Sequence, residues 1–300
     1  MIFIAIIYKL YYKIYVSGNG DGNLKNLIVI LRCYRRGEFI MRNDIRKDAY
    51  EKIRKLNSNR SSVKFIHYSC GSFTDISEGY SPRINSIAIL DWESGQTTAF
   101  SIHRVAERKK ISIEDIESSY DSLEKEMLDE YFDYLKDAKN VKWVHWNMRD
   151  PNYGFQAIEH RYQILGGKPC CVPDANKFDL ARLLDDLYGA HYVEHPKMKK
   201  IMQLNAITDK DFMSGKDEAA AFKNKDFSKV YLSTLRKVQV FSKILELTAY
   251  KSLKTKSSIK EQYGLSLQGL YEYCTSNVLI MLLWQIISLI LGGWIGSWFN

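Results

Sequence analysis

After Glu272 the chain carries no charged residue as far as Asn300. Within that run, Val278 to Trp298 reads VLIMLLWQIISLILGGWIGSW, 21 residues that are almost all apolar. At about 1.5 Å per residue, a helix of this length crosses the roughly 30 Å of bilayer hydrocarbon. A core helix of a globular protein rarely runs so far without a charge. The pattern predicts one transmembrane helix over 278–298, and therefore a body tethered by its tail. Trp294 and Trp298 suit an interface with lipid headgroups. Gln285 and the Gly292-x-x-x-Gly296 step are suited to pairing two such helices into a homo-oligomer.

The charges elsewhere follow from that reading. Lys and Arg number 43 against 35 Asp and Glu, a net charge of +8. Part of the excess precedes the tail at Lys251, Lys254, Lys256 and Lys260. Basic residues beside a membrane helix favour the cytoplasmic side, so the body is expected there. They also suit anionic lipid or nucleic-acid phosphates. Five cysteines, Cys33, Cys70, Cys170, Cys171 and Cys274, contain no CxxC pair and no zinc-like Cys/His spacing. This is the usage of a reduced compartment rather than of a disulfide framework.

The N-terminal stretch MIFIAIIYKLYYKIYV is apolar but broken by Lys9 and Lys13, which argues against a signal peptide or a spanning helix. Met41 opens MRNDIRKDAYEKIRKL, an amphipathic helix, so residues 1–40 are expected to be an extension outside the fold. The remaining boundaries are expected at 41–84 for a helical entry segment, 85–250 for the main domain, and 251–277 for a basic linker.

Along the body, residues 64–69 read as a short strand. Asn85–Trp92 and Thr97–His103 read as a hairpin around Ser94-Gly95-Gln96. Apolar residues recurring at three and four predict a helix over 112–139. A strand over 141–146 follows, then helices over 153–165, 177–188, 217–222 and 229–250. This order predicts an α/β fold with a mixed sheet flanked by helices.

Asp91-x-Glu93 stands at the end of the first strong strand. Two residues apart on a strand share a face, so both carboxylates would project together and would need a divalent cation between them. Further on, WVHWNMRDPNYGF brings His145, Asn147, Arg149 and Asp150 into a strand-to-helix turn, with Phe155 beside them.

The succession D-x-E strand, long helix, and strand entering an Asn-to-Asp turn resembles the DEDD family of 3′–5′ exonucleases, which have the RNase H-like fold. KFDLARLL resembles the helix that leads to the family's third motif. The resemblance spans Asn85 to Glu246, about half of the chain. It implies a nuclease acting on DNA or RNA with Mg²⁺ or Mn²⁺ held by Asp91, Glu93 and Asp150. His145, Asn147 and Arg149 would contact substrate. The chain departs from the pattern in two places. Asn147 and Asp150 are three apart rather than four. The position four beyond Tyr231 is Leu235 instead of Asp, which leaves Glu218, beside Asp217, as the nearest acidic substitute. Three readings stay open: a membrane-tethered nuclease, a catalytically inactive RNase H-like binding module, and an interaction protein.

Overall fold

The computed structural model describes residues 38–71, 82–264 and 267–296. Helix α1 (Glu38–Ser58) leads into β1 (Val63–Cys70), β2 (Ile84–Asp91) and β3 (Thr97–Ser101). Then come α2 (Ile102–Arg108), α3 (Tyr120–Asp137), β4 (Lys142–His145) and the small hairpin β5 (Arg149–Asp150) and β6 (Tyr153–Gly154). Helix α4 (Phe155–Ile164), strand β7 (Lys177–Asp179), and helices α5 (Leu180–Tyr188), α6 (Lys197–Leu204), α7 (Gly215–Lys223) and α8 (Phe227–Ala249) complete the body. Helices α9 (Ile259–Tyr263), α10 (Leu267–Ser276) and α11 (Val278–Gly296) follow.

The larger compact unit runs from Ile45 to Gln262, so α1 from Ile45 onward and all of β1 are part of it. The sequence pattern puts the domain start at residue 85, yet β1 is the middle strand of the five-stranded sheet, whose order is β3-β2-β1-β4-β7. β1, β2 and β3 form an antiparallel meander, and β4 and β7 run parallel to β1. The chain is therefore mixed α/β with helices on both faces. Of the expected extension over 1–40, residues 1–37 lie outside the described residues, and Glu38 already begins α1.

Alternation along β1 sorts the core. Ile66 and Tyr68 face α3, where Leu123, Met127, Tyr131 and Phe132 are buried with Ile87 and Ile89 of β2. Val63 and Phe65 face the other way, against Val238, Phe241 and Leu245 of α8 and Ile53 of α1. β1 is buried on both faces as an interior strand is, although Lys64, His67 and Ser69 interrupt its apolar run.

Two expected helices shift for local reasons. Residues 112–119 form turns held by Ser112 and Asp115, so α3 starts at Tyr120. Lys177–Asp179 are a strand, because their backbone pairs with β4, and the helix starts only after Asp179 caps it.

α11 belongs to the smaller unit. Its described side chains leave nine large apolar residues exposed, from Val278 to Ile290. Among the described residues no single helix is long and apolar enough to cross a membrane. Gly269–Thr275 and Val278–Leu291 pass that test only as a pair bent by 100°. The expected span over 278–298 falls on the helix Val278–Gly296, which does not pass that test alone, and Trp298 lies outside the described residues.

Candidate functional site

Three places in the body hold the polar side chains singled out by sequence. The first is the end of β2. Asp91 accepts a hydrogen bond from Lys64 Nζ at 2.7 Å, and its other oxygen accepts from Ser94 N and Ser94 Oγ, each at 3.0 Å. Partial burial works against the charge, but Lys64 and the Ser94 donors outweigh it and hold the carboxyl below the usual carboxylate range. Asp91 is the last residue of β2, so Glu93 lies in the following turn and the shared-face argument fails for it. Asp91 is a turn fastening, and Glu93 is exposed beside it.

Register fixes how far this turn is from the second motif. Asp91 pairs with Lys64 of β1, which pairs with Trp143 near the start of β4. Because β4 runs parallel to β1, its end at His145 and the residues after it belong to the opposite edge of the sheet. Asp91 and Glu93 therefore do not join Asp150. Asp150 is exposed, and its Oδ1 accepts from Asn152 N at 2.8 Å.

The second place is the seam between β1 and α8. His67 and Ser69 point from β1 toward α8. Ser69, Ser86 and Thr234 hydroxyls form a triangle with sides of 2.8 to 3.0 Å. His67 packs edge-on against Phe241 at 5.6 Å, with neither ring nitrogen hydrogen-bonded among the described residues. Burial, and then the nearby Lys237 ammonium, hold its pKa well below the ordinary histidine value. Glu218 is buried here. It accepts from Ser233 Oγ at 2.7 Å and pairs with the equally buried Lys237 at 2.6 Å. Its charge is thus neutralised inside the protein, and Asp217 is used in a capping box with Ser214.

The third place is the edge where the parallel strands β4 and β7 end. In open α/β sheets, ligands bind beyond the carboxyl ends of parallel strands. His145 and Asp179 are register partners on those two strands. Asp179 caps α5: its Oδ1 accepts from Ala181 N at 3.0 Å and from Asn147 N at 3.1 Å. Arg149 Nε is ion-paired with the other oxygen, so Arg149 is the partner of Asp179 rather than of its neighbour Asp150. Asn147 takes a left-handed conformation, φ 55°, which Asn tolerates better than most residues. His145 Nδ1 accepts from Met148 N at 3.2 Å, which places the proton of the neutral ring on Nε2. Burial pushes the His145 pKa down to about 4; Asp179 opposes the shift, and Arg149 and Lys177 add to it. A Cβ on Gly154 would meet Met148 O at 2.5 Å, so only glycine lets β5 and β6 close over this turn. Gly154 N also donates to Tyr68 Oη at 3.0 Å, which ties the hairpin to β1.

His145, Arg149 and Asp150 line a cleft of about 1120 Å³ that reaches from this turn to α1 and α5. Lys52, Lys55, Lys142, Lys177 and Arg182 also line it. Several of these cations are matched, as in Lys52 with Asp48 and Lys177 with Asp174. Lys55 and Arg182 are exposed and make no ion pair among the described residues.

The structure therefore gathers His145, Asn147 and Arg149 and leaves Asp91, Glu93 and Glu218 elsewhere. Asp179, Gly154 and Tyr68 complete the turn. Of these, Asp179 had a sequence signal: an acid directly before the apolar helix LARLLDDLY has the form of an N-cap. The donor set does not fit the Mg²⁺ or Mn²⁺ that the resemblance implies. Asp91 is bound to Lys64, Glu218 to Lys237, and Asp179 to Arg149. Among the described residues no group of three or more His, Cys, Asp or Glu is placed to hold a metal ion. In comparisons with known protein families, curated proteins and solved structures, the chain matches none.

Proposed function

We propose that the body is an RNase H-like module that binds nucleic acid in the β4/β7 cleft without metal-dependent cleavage, and that its C-terminal helix anchors it in a membrane with the body on the cytoplasmic side. The observation that carries the first part is the sheet itself. An antiparallel β1-β2-β3 meander, extended by parallel strands on the far side of β1, is the strand arrangement of the RNase H-like fold. In that arrangement the first acidic motif belongs on β1. This chain has His67 and Ser69 there, and both are packed against α8. The fold is supported while the metal-holding carboxylates are replaced, which favours binding over hydrolysis.

The cleft is lined by Lys52, Lys55, Lys142, Arg149, Lys177 and Arg182 against Asp48, Asp150, Asp174, Asp179 and Asp186, and the reading rests on the cations that these acids leave exposed. Arg149 is half-exposed although it is paired. Arg182 and Lys55 are exposed cations along the same cleft. The His145 Nε2–H is a neutral donor at physiological pH. Such contacts recognise the backbone rather than base sequence, and binding through them weakens as salt rises. The test is equilibrium binding of short single-stranded and duplex DNA and RNA to the full chain in detergent. Arg149→Glu combined with Arg182→Glu should weaken binding at least tenfold and flatten the salt dependence. Unchanged affinity in that variant would remove the cleft from consideration.

The anchor rests on α11, whose exposed apolar surface suits hydrocarbon. The Gly292-x-x-x-Gly296 step suits close pairing of two tails. The full chain should float with phospholipid vesicles and resist carbonate extraction. Recovery in the soluble fraction would contradict the anchor.

A further inference from the structure

We infer that one face of the body, built from the segment after α8 and the adjoining flank of α1, binds anionic phospholipid headgroups. This inference rests on the membrane reading of α11 and specifies which surface of the body meets the bilayer.

Residues 251–257 carry little regular structure, yet they are fastened to the body. Lys254 N donates to Asn205 Oδ1 at 2.8 Å, and Asn205 Nδ2 donates back to Lys254 O at 3.0 Å. Lys256 N donates to Tyr192 O at 2.8 Å, and Ser257 Oγ donates to Tyr188 O at 2.7 Å. Leu253 is buried in the same core cluster as α8 and α1. With the backbone and Leu253 directed inward, Lys251, Lys254 and Lys256 are left exposed, and Lys260 follows on α9. A linker merely spanning a gap would need none of these bonds. Here the lysines are presented in a fixed arrangement.

The flank of α1 extends the face. Lys251 Nζ lies 4.9 Å from the centre of the Tyr50 ring. One helical turn beyond Tyr50 is Arg54, which is exposed. Glu194 offsets Lys256 at 3.1 Å and Glu261 stands beside Lys260, so Lys251, Lys254 and Arg54 carry the surplus.

Chain continuity selects lipid over nucleic acid as the partner. Lys260 is only 18 residues before Val278, where the apolar helix begins. If that helix is in hydrocarbon, Lys260 is near the headgroups, and Lys254 and Lys251, 24 and 27 residues before Val278, belong to the fastened segment that leads to it. Basic residues within some 15–20 residues of a span are those that sense the membrane surface. Each lysine near an anionic surface contributes on the order of a fivefold preference for it.

The experiment uses the full chain reconstituted in two kinds of vesicle: phosphatidylcholine alone, and phosphatidylcholine with phosphatidylserine. Flotation with the neutral vesicles reads the tail. Lysine acylation by a water-soluble reagent, followed by peptide mass spectrometry, reads the face. Lys110 serves as the reference, because it follows α2 on the opposite side of the sheet. Lys251, Lys254 and Lys260 should label at least fivefold more slowly than in neutral vesicles, relative to Lys110. High salt should remove the difference, since screening shortens the reach of the surface potential. Equal labelling in both vesicles, with flotation intact, overturns the lipid face and leaves the anchor standing. Absence of flotation from neutral vesicles overturns the anchor reading itself. Protection of the same lysines by an oligonucleotide without vesicles would overturn lipid as the partner in favour of nucleic acid.

Discussion

The two edges of the central sheet carry acids in different states. At the end of β2, Asp91 faces Lys64 and the Ser94 donors, and it closes a turn that leads nowhere but into β3. At the ends of β4 and β7, Asp179 is tied to Asn147, Ala181 and Arg149, and that network shapes a cleft open to solvent. Both acids are structural. They differ in what their bonds hold in place: a hairpin at one edge, and a set of cations and an imidazole N–H at the other. An acid-rich motif is thus a poor guide to chemistry until its register in the sheet is known.

The largest expected effect tests whether the acids really are committed to structure. Lys237→Met leaves Glu218 buried without its partner and should cost roughly 3–5 kcal/mol in chemical denaturation. Pairing it with Glu218→Leu removes the orphaned charge and should recover most of that loss. If Lys237→Met is as stable as wild type, Glu218 is free to act elsewhere, and its exclusion from the site fails.

The β4/β7 edge has a pH signature. His145 is held neutral in the folded protein, with its pKa at about 4, whereas the unfolded chain takes up that proton near 6.5. The stability it contributes is therefore complete above pH 6.5 and falls as the pH drops toward 4, by about 3 kcal/mol at the lower end. Buried His67 acts in the same direction. His145→Gln should flatten its share of this slope. An unchanged slope in that variant would mean that the ring is not buried neutral at the strand end.

Asp179→Asn is expected to act on stability and binding together. It keeps a capping oxygen for α5 but removes the charge that holds Arg149, and should cost about 1–2 kcal/mol. Because Arg149 and the Asn147 turn are then less fixed, nucleic-acid affinity should fall as well. A stability loss with full affinity would separate the network from the cleft's function.

The smallest effect belongs to the other edge. Asp91→Asn breaks a part-exposed pair and should change stability by about 0–1 kcal/mol, with nucleic-acid affinity unaltered.

Much of the fold was legible in the chain, because strong periodicities survive packing. The β2–β3 hairpin, α3 and α8 fall close to where alternation and three-four spacing put them. What misled was rank rather than existence. Val63–Cys70 contains His67, Tyr68 and Ser69, so it reads as a weak entry strand, while INSIAILD reads as the leading one. Tertiary packing on both faces makes the weaker-looking segment the centre of the sheet. Taking β2 as the first strand then moved the acidic motif to the wrong edge. His145, Asn147 and Arg149 were findable from WVHWNMRD alone, since a strand running into a polar turn is a local pattern. Asp179 carries an N-cap signal, but its place at the end of a strand is masked because the three-residue strand merges with the helix it caps. The pairing of Glu218 with Lys237 joins residues on two helices and has no local signature.

The central claim is that the cleft binds nucleic acid without cutting it. The most direct measurement incubates the detergent-solubilised full chain with end-labelled single-stranded and duplex DNA and RNA, in EDTA, Mg²⁺ or Mn²⁺, and reads complex formation and strand length together. The account predicts salt-sensitive complexes of equal strength with and without metal, and strands of unchanged length. Strands shortened only with metal, and left intact by the Asp91→Asn protein, would contradict it.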